Sequence, residues 1–116
     1  VFGVSYKGNV DDIRESPSLK IIQLLKEKNI HINIYDPHVS DPEFVDFVTA
    51  ITNADLVLIL TDHNEFKNLD FAFMYSKMRR PMIFDTRNMI KYSNDSGVEI
   101  INYGNLYHYK NSLKEK

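Results

Sequence analysis

The first twenty residues join an apolar segment, a charged loop and a capped helix start, and this combination restricts the fold more than any other feature. Residues 1–5 are mostly apolar. The loop after them holds five charged side chains, Lys7, Asp11, Asp12, Arg14 and Glu15. Ser16 then supplies an oxygen suited to an N-cap, and Pro17 stands at the first helical position, where no N–H is needed. A strand, a loop and a helix in this order open an α/β unit.

The same order of elements repeats along the rest of the chain. The hydrophobic periodicity predicts helices over residues 17–29, from 41–42 to about 51, and over about 65–78. Strands are predicted over residues 1–5, 30–35, 56–60, 81–84 and 98–101. The run at 56–60 is continuously apolar, as in a strand covered on both faces. The pattern predicts a Rossmann-like three-layer α/β sandwich with a mostly parallel sheet of about five strands.

Polar clusters follow four of the predicted strands, at residues 6–15, 36–38, 61–64 and 85–88. Loops that follow parallel strands emerge at one edge of the sheet, the carboxyl edge. With the common strand order 3-2-1-4-5, the loops after the first and fourth strands flank the crevice where ligands bind. Lys7 and Arg87 are then expected on opposite sides of one cleft. Two cations facing each other there suit a diphosphate.

Composition excludes several classes of protein. The 14 basic and 16 acidic residues give a net charge of −2, which does not favour a nucleic acid or an anionic membrane as partner. The chain has no cysteine, so disulfides, thiolate metal sites and a cysteine nucleophile are excluded within it. No apolar run approaches the roughly 20 residues of a membrane span, and no signal peptide is visible. A cytoplasmic domain is expected, and the start without Met indicates a piece of a longer protein.

Two other α/β classes fit the loops poorly. The dinucleotide fingerprint needs the spacing G-x-G-x-x-G, whereas the first loop has only Gly3 and Gly8, beside acids that would repel phosphates. Asp36 stands where a ribose-binding acid could lie, but a turn is the preferred interpretation. A receiver domain needs an acidic pair after the first strand, where this chain has Ser5 and Tyr6. Neither a self-contained Rossmann oxidoreductase nor a receiver is therefore favoured.

Six linked motifs resemble those of one protein family. They are GVSYK at 3–7, DDIRESP at 11–17, YDP at 35–37, AD at 54–55 before the apolar run, TDH at 61–63 and DTRN at 85–88. In this order and at comparable spacing, they are similar to the C-terminal, UDP-binding domain of the UDP-glucose/GDP-mannose dehydrogenase family. The resemblance covers residues 1 to about 90. It implies a UDP-binding domain over residues 1–103 and a C-terminal tail over 104–116.

The resemblance also implies an activity and the missing parts that perform it. Full-length members have an N-terminal NAD-binding domain, a helical middle domain with a catalytic cysteine, and this C-terminal domain. They oxidise the C6 hydroxyl of a nucleotide sugar to a carboxylate with two NAD in succession. This chain is then expected to bind a UDP-sugar, to supply no catalytic residue, and to leave NAD mainly to the N-terminal domain. The full-length enzyme is expected to be a homodimer or a larger assembly.

Individual roles follow from the matching positions. Tyr6 and Lys7 match an aromatic–lysine pair that contacts the nucleotide sugar, and Arg87 matches an arginine at the sugar–diphosphate end. Arg14 matches an arginine that reaches across the domain cleft towards NAD. Gly8 replaces a Pro or Lys common in the family, and a looser loop is expected from it.

Other interpretations stay open for several residues. Arg14 could instead pair with Asp11 or Glu15 and brace the loop. Asp62 is expected to cap a helix, and His63 to be a cap or turn residue with no functional role. Three further histidines, His31, His38 and His108, show no metal-ligand spacing. Three tyrosines near the end of the chain, Tyr103, Tyr107 and Tyr109, are expected to pack on the sheet.

Two function classes remain from the sequence. The first is the UDP-binding domain of an NAD-dependent UDP-sugar 6-dehydrogenase, and the GVSYK and DTRN spellings resemble the branch that acts on UDP-N-acetylhexosamines. The alternative is a stand-alone nucleotide-binding or regulatory module without catalysis. The length of the gene separates them, because the enzyme requires an upstream glycine fingerprint and a cysteine.

Overall fold

The computed structural model describes residues 1–90 and 97–105 of the 116-residue chain. In these residues the helices are α1 (Pro17–Glu27), α2 (Phe47–Ile51) and α3 (Phe71–Lys77), with a 3₁₀ helix at Asn64–Asn68. The strands are β1 (Val57–Ile59), β2 (Met82–Asp85) and β3 (Glu99–Ile101). None of these helices has the length and apolar character of a membrane span.

The sheet is parallel throughout the described residues. Its three regular strands lie in the order β1-β2-β3. Two further segments join it through Phe2, which forms parallel bridges to Tyr35 on one side and to Ile59 on the other. The N–H of Phe2 donates to the Leu58 carbonyl at 2.8 Å, and the Phe2 carbonyl accepts from Leu60 at 3.0 Å. The predicted sheet of about five strands is therefore present as three strands and two single bridges.

The first segment is short because the backbone turns directly after Phe2. Gly3 has φ of +94°, a left-handed conformation that no extended strand contains. The next N–H, that of Val4, donates to the Asp36 side chain at 2.8 Å instead of to a neighbouring strand. A side-chain carboxylate thus takes the place of the sheet's hydrogen bond at this point.

The expected strand order 3-2-1-4-5 is wrong. Phe2 lies between Tyr35 and β1, so the five segments follow the order 2-1-3-4-5. The connection from Tyr35 to β1 crosses the first segment, and Phe47 of α2 packs there, its ring centroid 5.9 Å from those of both Phe2 and Tyr35. The switch point accordingly lies between the first segment and β1, and the ligand crevice between the loops that follow those two.

Helices cover both faces of the sheet. Val57, Ile59 and Ile83 are buried in the main apolar cluster, together with Ile51 of α2 and Met74 of α3. Because side chains alternate along a strand, Leu58 points to the other face. There it borders a groove with Leu25 of α1. This arrangement is the expected three-layer α/β architecture.

The start of α1 is as predicted, but the next two helices differ. Ser16 caps α1 through the Ser18 N–H, with Pro17 at the first position. The second helix begins after Asp46, whose carboxylate accepts from the Thr49 N–H, and not near residue 41. The helix predicted over about 65–78 is interrupted because Asp70 caps a new helix, α3.

The end of the chain is described only in part. Tyr103 packs its ring against Phe84 at 5.9 Å between centroids. Tyr107, His108 and Tyr109 lie outside the described residues, as does most of the proposed tail.

Replacement of Gly3 by alanine should destabilise the fold. The new Cβ would lie 2.5 Å from Cβ of Thr61, and the left-handed backbone costs about 1–3 kcal/mol for a residue with a side chain. Urea unfolding should show at least that loss for Gly3→Ala. Gly104→Ala is the control, because the nearest neighbour of the added Cβ there is a side-chain oxygen of Asn102, at 3.1 Å. Equal effects of the two substitutions would contradict the strain at Gly3.

Candidate functional site

Three loops at the carboxyl edge of the sheet surround an open cleft of about 880 Å³. They follow the first segment, β1 and β2, and they contribute Lys7, Asp62 and Arg87 to its wall. We call this space the carboxyl-edge cleft. Its volume is within the ordinary range for small-molecule sites, about 300–1,000 Å³. Lys7 and Arg87 thus border one cleft, as the topology argument expected, although the strand order behind that argument was wrong.

The charge of the carboxyl-edge cleft is mainly positive. Among its described lining residues, Lys7, Lys67 and Arg87 are basic and Asp62 is acidic. Sequence reasoning missed Lys67, which belongs to the 3₁₀ helix and has no motif to mark it. An excess of two positive charges on separate loops can accept a diphosphate, and the planar arginine fork suits phosphate oxygens.

Asp62 faces Arg87 instead of capping a helix, so that expectation is wrong. Its Oδ2 lies 3.8 Å from a terminal nitrogen of Arg87, and both side chains are about half exposed. The 3₁₀ helix after it begins at Asn64, with His63 at the N-cap position and no side-chain cap. Asp62 is the internal counter-ion of the cleft's arginine.

The loop that carries Arg87 is built around Asp85. This carboxylate is buried and accepts the backbone N–H groups of Arg87 at 3.1 Å, Met89 at 2.8 Å and Ile90 at 2.8 Å. The Thr86 hydroxyl adds a bond to the Ile59 carbonyl at 2.6 Å. A carboxylate that binds several N–H groups of one loop fixes that loop's shape. These hydrogen bonds of the DTRN motif therefore fix the backbone that carries Arg87.

The loop that carries Lys7 is held closely against the loop after β1. A Cβ on Gly8 would lie 2.5 Å from the Asp62 carbonyl oxygen, so only glycine fits there. The Ser5 hydroxyl donates to the Lys7 carbonyl at 2.7 Å. Gly8 does not loosen the loop as the sequence suggested; it allows the two loops to touch.

A buried histidine–aspartate pair lies beneath these loops, and sequence reasoning assigned it no function. His63 Nε2 lies 2.9 and 3.0 Å from the two carboxylate oxygens of Asp36, and neither side chain is exposed. Ser5 Oγ lies 3.2 Å from the same nitrogen. The one available signal was that both residues are polar and belong to the clusters that follow predicted strands, at 36–38 and 61–64.

This serine, histidine and aspartate do not form a nucleophilic triad. A triad needs an unprotonated ring nitrogen facing the serine hydroxyl. Here Nδ1 of His63 already accepts the Asn9 N–H at 2.8 Å, and Nε2 faces Asp36. Ser5 Oγ donates to the Lys7 carbonyl. The set holds the loops together and activates no nucleophile.

Tyr6 is separated from Lys7 although the two are neighbours in sequence. It is 59% exposed and borders a smaller recess of about 210 Å³, together with Thr86, Arg87 and Tyr103. Arg87 borders both spaces. A ligand that extends from Lys7 past Arg87 would reach Tyr6.

Arg14 does not line the carboxyl-edge cleft. Its Nε and one terminal nitrogen donate to the two carboxylate oxygens of Asp12 at 3.1 and 3.0 Å, and its side chain is 88% exposed. The partner is thus Asp12 and not Asp11 or Glu15. The Asp12 carbonyl accepts the Tyr6 N–H at 2.6 Å, so the pair braces the loop that carries Tyr6.

Within residues 1–90 and 97–105, no three histidine or carboxylate side chains are grouped closely enough to hold a metal ion.

The pairing of Arg14 with Asp12 should be visible in a pH titration. The hydrogen bonds from Arg14 lower the pKa of the Asp12 carboxyl from 3.8 to about 2. A carboxyl with a depressed pKa keeps its pairing above its unfolded value and loses it as the pH falls through the folded value. A titration followed by NMR should therefore give a midpoint near 2 in the parent chain and a higher one in Arg14→Ala, still below 3.8 because the backbone N–H of residue 14 continues to donate to the Asp12 carboxylate. Arg80→Ala is the control, and an unchanged midpoint in Arg14→Ala would disprove the pairing.

The sequence of this chain is similar to parts of known dehydrogenases. The UDP-N-acetyl-D-mannosamine dehydrogenase of Methanococcus vannielii is 43% identical over 98 residues, which are 80% of this chain and 23% of that protein. The UDP-glucose 6-dehydrogenase of Rickettsia prowazekii is 32% identical over 101 residues, covering 78% of this chain and 23% of that protein. The chain thus spans about a quarter of the length of these relatives.

Structure and family comparison agree with the sequence relatives. The UDP-N-acetyl-mannosamine dehydrogenase of Staphylococcus aureus superimposes with a TM-score of 0.86 at 46% identity, over 94% of this chain and 26% of that one. The family model for the UDP binding domain of UDP-glucose/GDP-mannose dehydrogenases matches residues 1–92. That match includes every loop of the carboxyl-edge cleft. The chain belongs to the UDP-glucose/GDP-mannose dehydrogenase family, as its UDP binding domain.

Proposed function

We propose that this chain binds the UDP part of a nucleotide sugar within an NAD-dependent UDP-sugar 6-dehydrogenase. That enzyme oxidises the sugar C6 hydroxyl to a carboxylate. The observation that carries the proposal is the meeting of Lys7 and Arg87 at one cleft beside the switch point of a family-typical sheet. A regulatory module without catalysis has less support, because the relatives are dehydrogenases about four times as long.

In this proposal the diphosphate lies in the carboxyl-edge cleft between Lys7 and Arg87, with Lys67 as a third cation. Arg87 forms the bidentate contact, because its loop is fixed by Asp85 and its fork matches phosphate oxygens. Tyr6 contacts the nucleotide sugar from the adjoining recess that it shares with Arg87.

The chain by itself does not suit NAD. The loop after the first segment has only two glycines. The space next to Gly8, where a pyrophosphate would need to approach the backbone, is occupied by the Asp62 backbone. We therefore assign NAD mainly to the remaining domains of the enzyme. Arg14 is proposed to reach that NAD from the outer rim, since its guanidinium has five N–H groups and the Asp12 side chain accepts two of its bonds.

The substrate is proposed to be a UDP-N-acetylhexosamine. The relatives from M. vannielii and S. aureus carry the name UDP-N-acetylmannosamine dehydrogenase and are more similar to this chain than the UDP-glucose enzyme of R. prowazekii. A cytoplasmic location and a homodimeric or larger enzyme are part of the same proposal.

Replacement of Arg87 by lysine should weaken UDP binding more than the unchanged charge suggests. Lysine keeps the charge but loses the fork, and a charge-assisted hydrogen bond is worth about 1.5–3 kcal/mol, or roughly 10- to 150-fold in the dissociation constant. Isothermal titration of the chain with UDP should measure this loss. Arg80→Lys, an exposed arginine outside the cleft, is the matched control. Equal affinities of the Arg87→Lys and parent chains would contradict the role of the fork.

In the intact dehydrogenase, Arg14→Ala should alter a different set of parameters. Steady-state kinetics should show changed NAD parameters for Arg14→Ala and changed UDP-sugar parameters for Arg87→Lys. A lower melting temperature of Arg14→Ala with unchanged NAD parameters would mean that Arg14 only braces the loop through Asp12.

The 116-residue chain alone should not reduce NAD with any UDP-sugar. It contains no cysteine to act as the nucleophile that the family uses, and no glycine fingerprint to hold NAD. Absorbance of NADH at saturating UDP-N-acetyl-D-mannosamine and NAD is the measurement. Turnover by the verified chain would refute the proposed division of labour between domains.

A further inference from the structure

His63 connects two loops of the carboxyl-edge cleft from below. Its side chain is completely buried, and the rings of His38 and Phe66 cover it at centroid distances of 4.3 and 5.5 Å. It follows β1, whereas Asn9 follows the first segment. The Asn9 N–H donates to His63 Nδ1 at 2.8 Å. A bond between residues 54 positions apart therefore joins the loop of Lys7 to the loop of Asp62.

The hydrogen bonds assign one tautomer to the imidazole ring. Because the Asn9 N–H donates to Nδ1, that nitrogen carries no proton, and the proton is on Nε2. Nε2–H then donates to Asp36, whose oxygens lie 2.9 and 3.0 Å away. Asp36 is anchored in turn by the N–H groups of Val4 and His38, both at 2.8 Å. The acceptor at Nδ1 is thus maintained by a buried carboxylate on the opposite side of the ring.

The bond to Asn9 fixes the backbone that presents Lys7. Asn9 has φ of +63°, in the left-handed region that asparagine tolerates better than most residues with a side chain. Its side-chain oxygen also accepts the Asn64 N–H at 2.8 Å. On the other side of Lys7, the Ser5 hydroxyl that binds the Lys7 carbonyl lies 3.2 Å from His63 Nε2. His63 therefore touches the contacts on both sides of Lys7.

We propose that His63 is a positioning residue for diphosphate binding, with Asp36 as the group that sets its tautomer. The proposal rests on the proposed function of the carboxyl-edge cleft. His63 is buried and contacts no ligand itself; it acts by holding Asn9, and through Asn9 the loop of Lys7, against the loop of Asp62. Fixing a binding loop in advance lowers the cost of ordering it when the ligand binds.

Two substitutions separate the two hydrogen bonds of the ring. In His63→Asn the side-chain oxygen can occupy the place of Nδ1 and accept the Asn9 N–H, while the bond to Asp36 is lost. In His63→Gln the side-chain amide can occupy the place of Nε2 and donate to Asp36, while the bond to Asn9 is lost. If His63 acts by positioning, loss of the bond to Asn9 should lower the affinity for UDP. Loss of the bond to Asp36 should mainly lower the melting temperature.

Calorimetric titration with UDP, amide hydrogen exchange at Asn9 and thermal unfolding of the full chain test this. His63→Gln should weaken UDP binding roughly 2- to 12-fold, the value of one net hydrogen bond, and speed exchange at Asn9. His63→Asn should stay within about twofold in UDP affinity while it melts at a lower temperature. His31→Gln, an exposed histidine outside the cleft, is the control and should match the parent chain.

The proposal would be overturned if His63→Gln bound UDP as tightly as the parent chain does. It would also be overturned if the losses of UDP affinity in the two variants simply paralleled their losses in melting temperature. Failure of the parent chain to bind UDP would instead refute the proposed function, while exchange at Asn9 would still test the positioning. If neither variant folds, ¹⁵N NMR of the parent chain decides: a proton on Nδ1 instead of Nε2 disproves the arrangement.

Discussion

The pairing of Phe2 with both Tyr35 and β1 is the constraint on which the rest of the structure depends. Phe2 is buried, and its bridges to Tyr35 and to Ile59 place the first segment inside the sheet, between Tyr35 and β1. The switch point therefore lies next to β1. The first loop descends directly onto residues 61–64, and Lys7 meets Asp62 and Arg87 in one cleft. A different neighbour for Phe2 would separate these loops.

Two buried carboxylates accept backbone N–H groups of the loops, as strand carbonyls would in a longer sheet. Asp36 accepts the N–H groups of Val4 and His38, and Asp85 accepts three N–H groups of the DTRN loop. Burial of an unpaired charge costs several kcal/mol, so each carboxylate is tolerable only with such donors. In the described part of the chain, every buried side-chain nitrogen and oxygen has a partner. The buried carboxylates of Asp36 and Asp85 thus fix the backbone conformation of the loops that form the site.

Local signals in the sequence were sufficient for some features and not for others. The Ser16–Pro17 helix start and the apolar run at β1 depend on neighbouring residues, and both were predicted. The meeting of Lys7 and Arg87 was predicted from the placement of both loops at one carboxyl edge, together with an assumed strand order that proved wrong. The strand order itself depends on which distant segment pairs with Phe2. The His63–Asp36 bond likewise joins residues 27 positions apart, and no local pattern marks it.

The contact between Asp62 and Arg87 gives the cleft a built-in competitor. Until an anion arrives, the arginine has an internal carboxylate at 3.8 Å, and a ligand must displace it to use the whole guanidinium fork. A half-exposed pair of this kind is worth about 0–1 kcal/mol, so the displacement weakens an incoming ligand by at most about fivefold. A chloride ion, with one charge and no fork-shaped oxygen pair, gains little from that exchange. In the proposed function, a diphosphate would also reach the lysines and recover the loss, and the cleft would then discriminate among anions before any base or sugar is recognised.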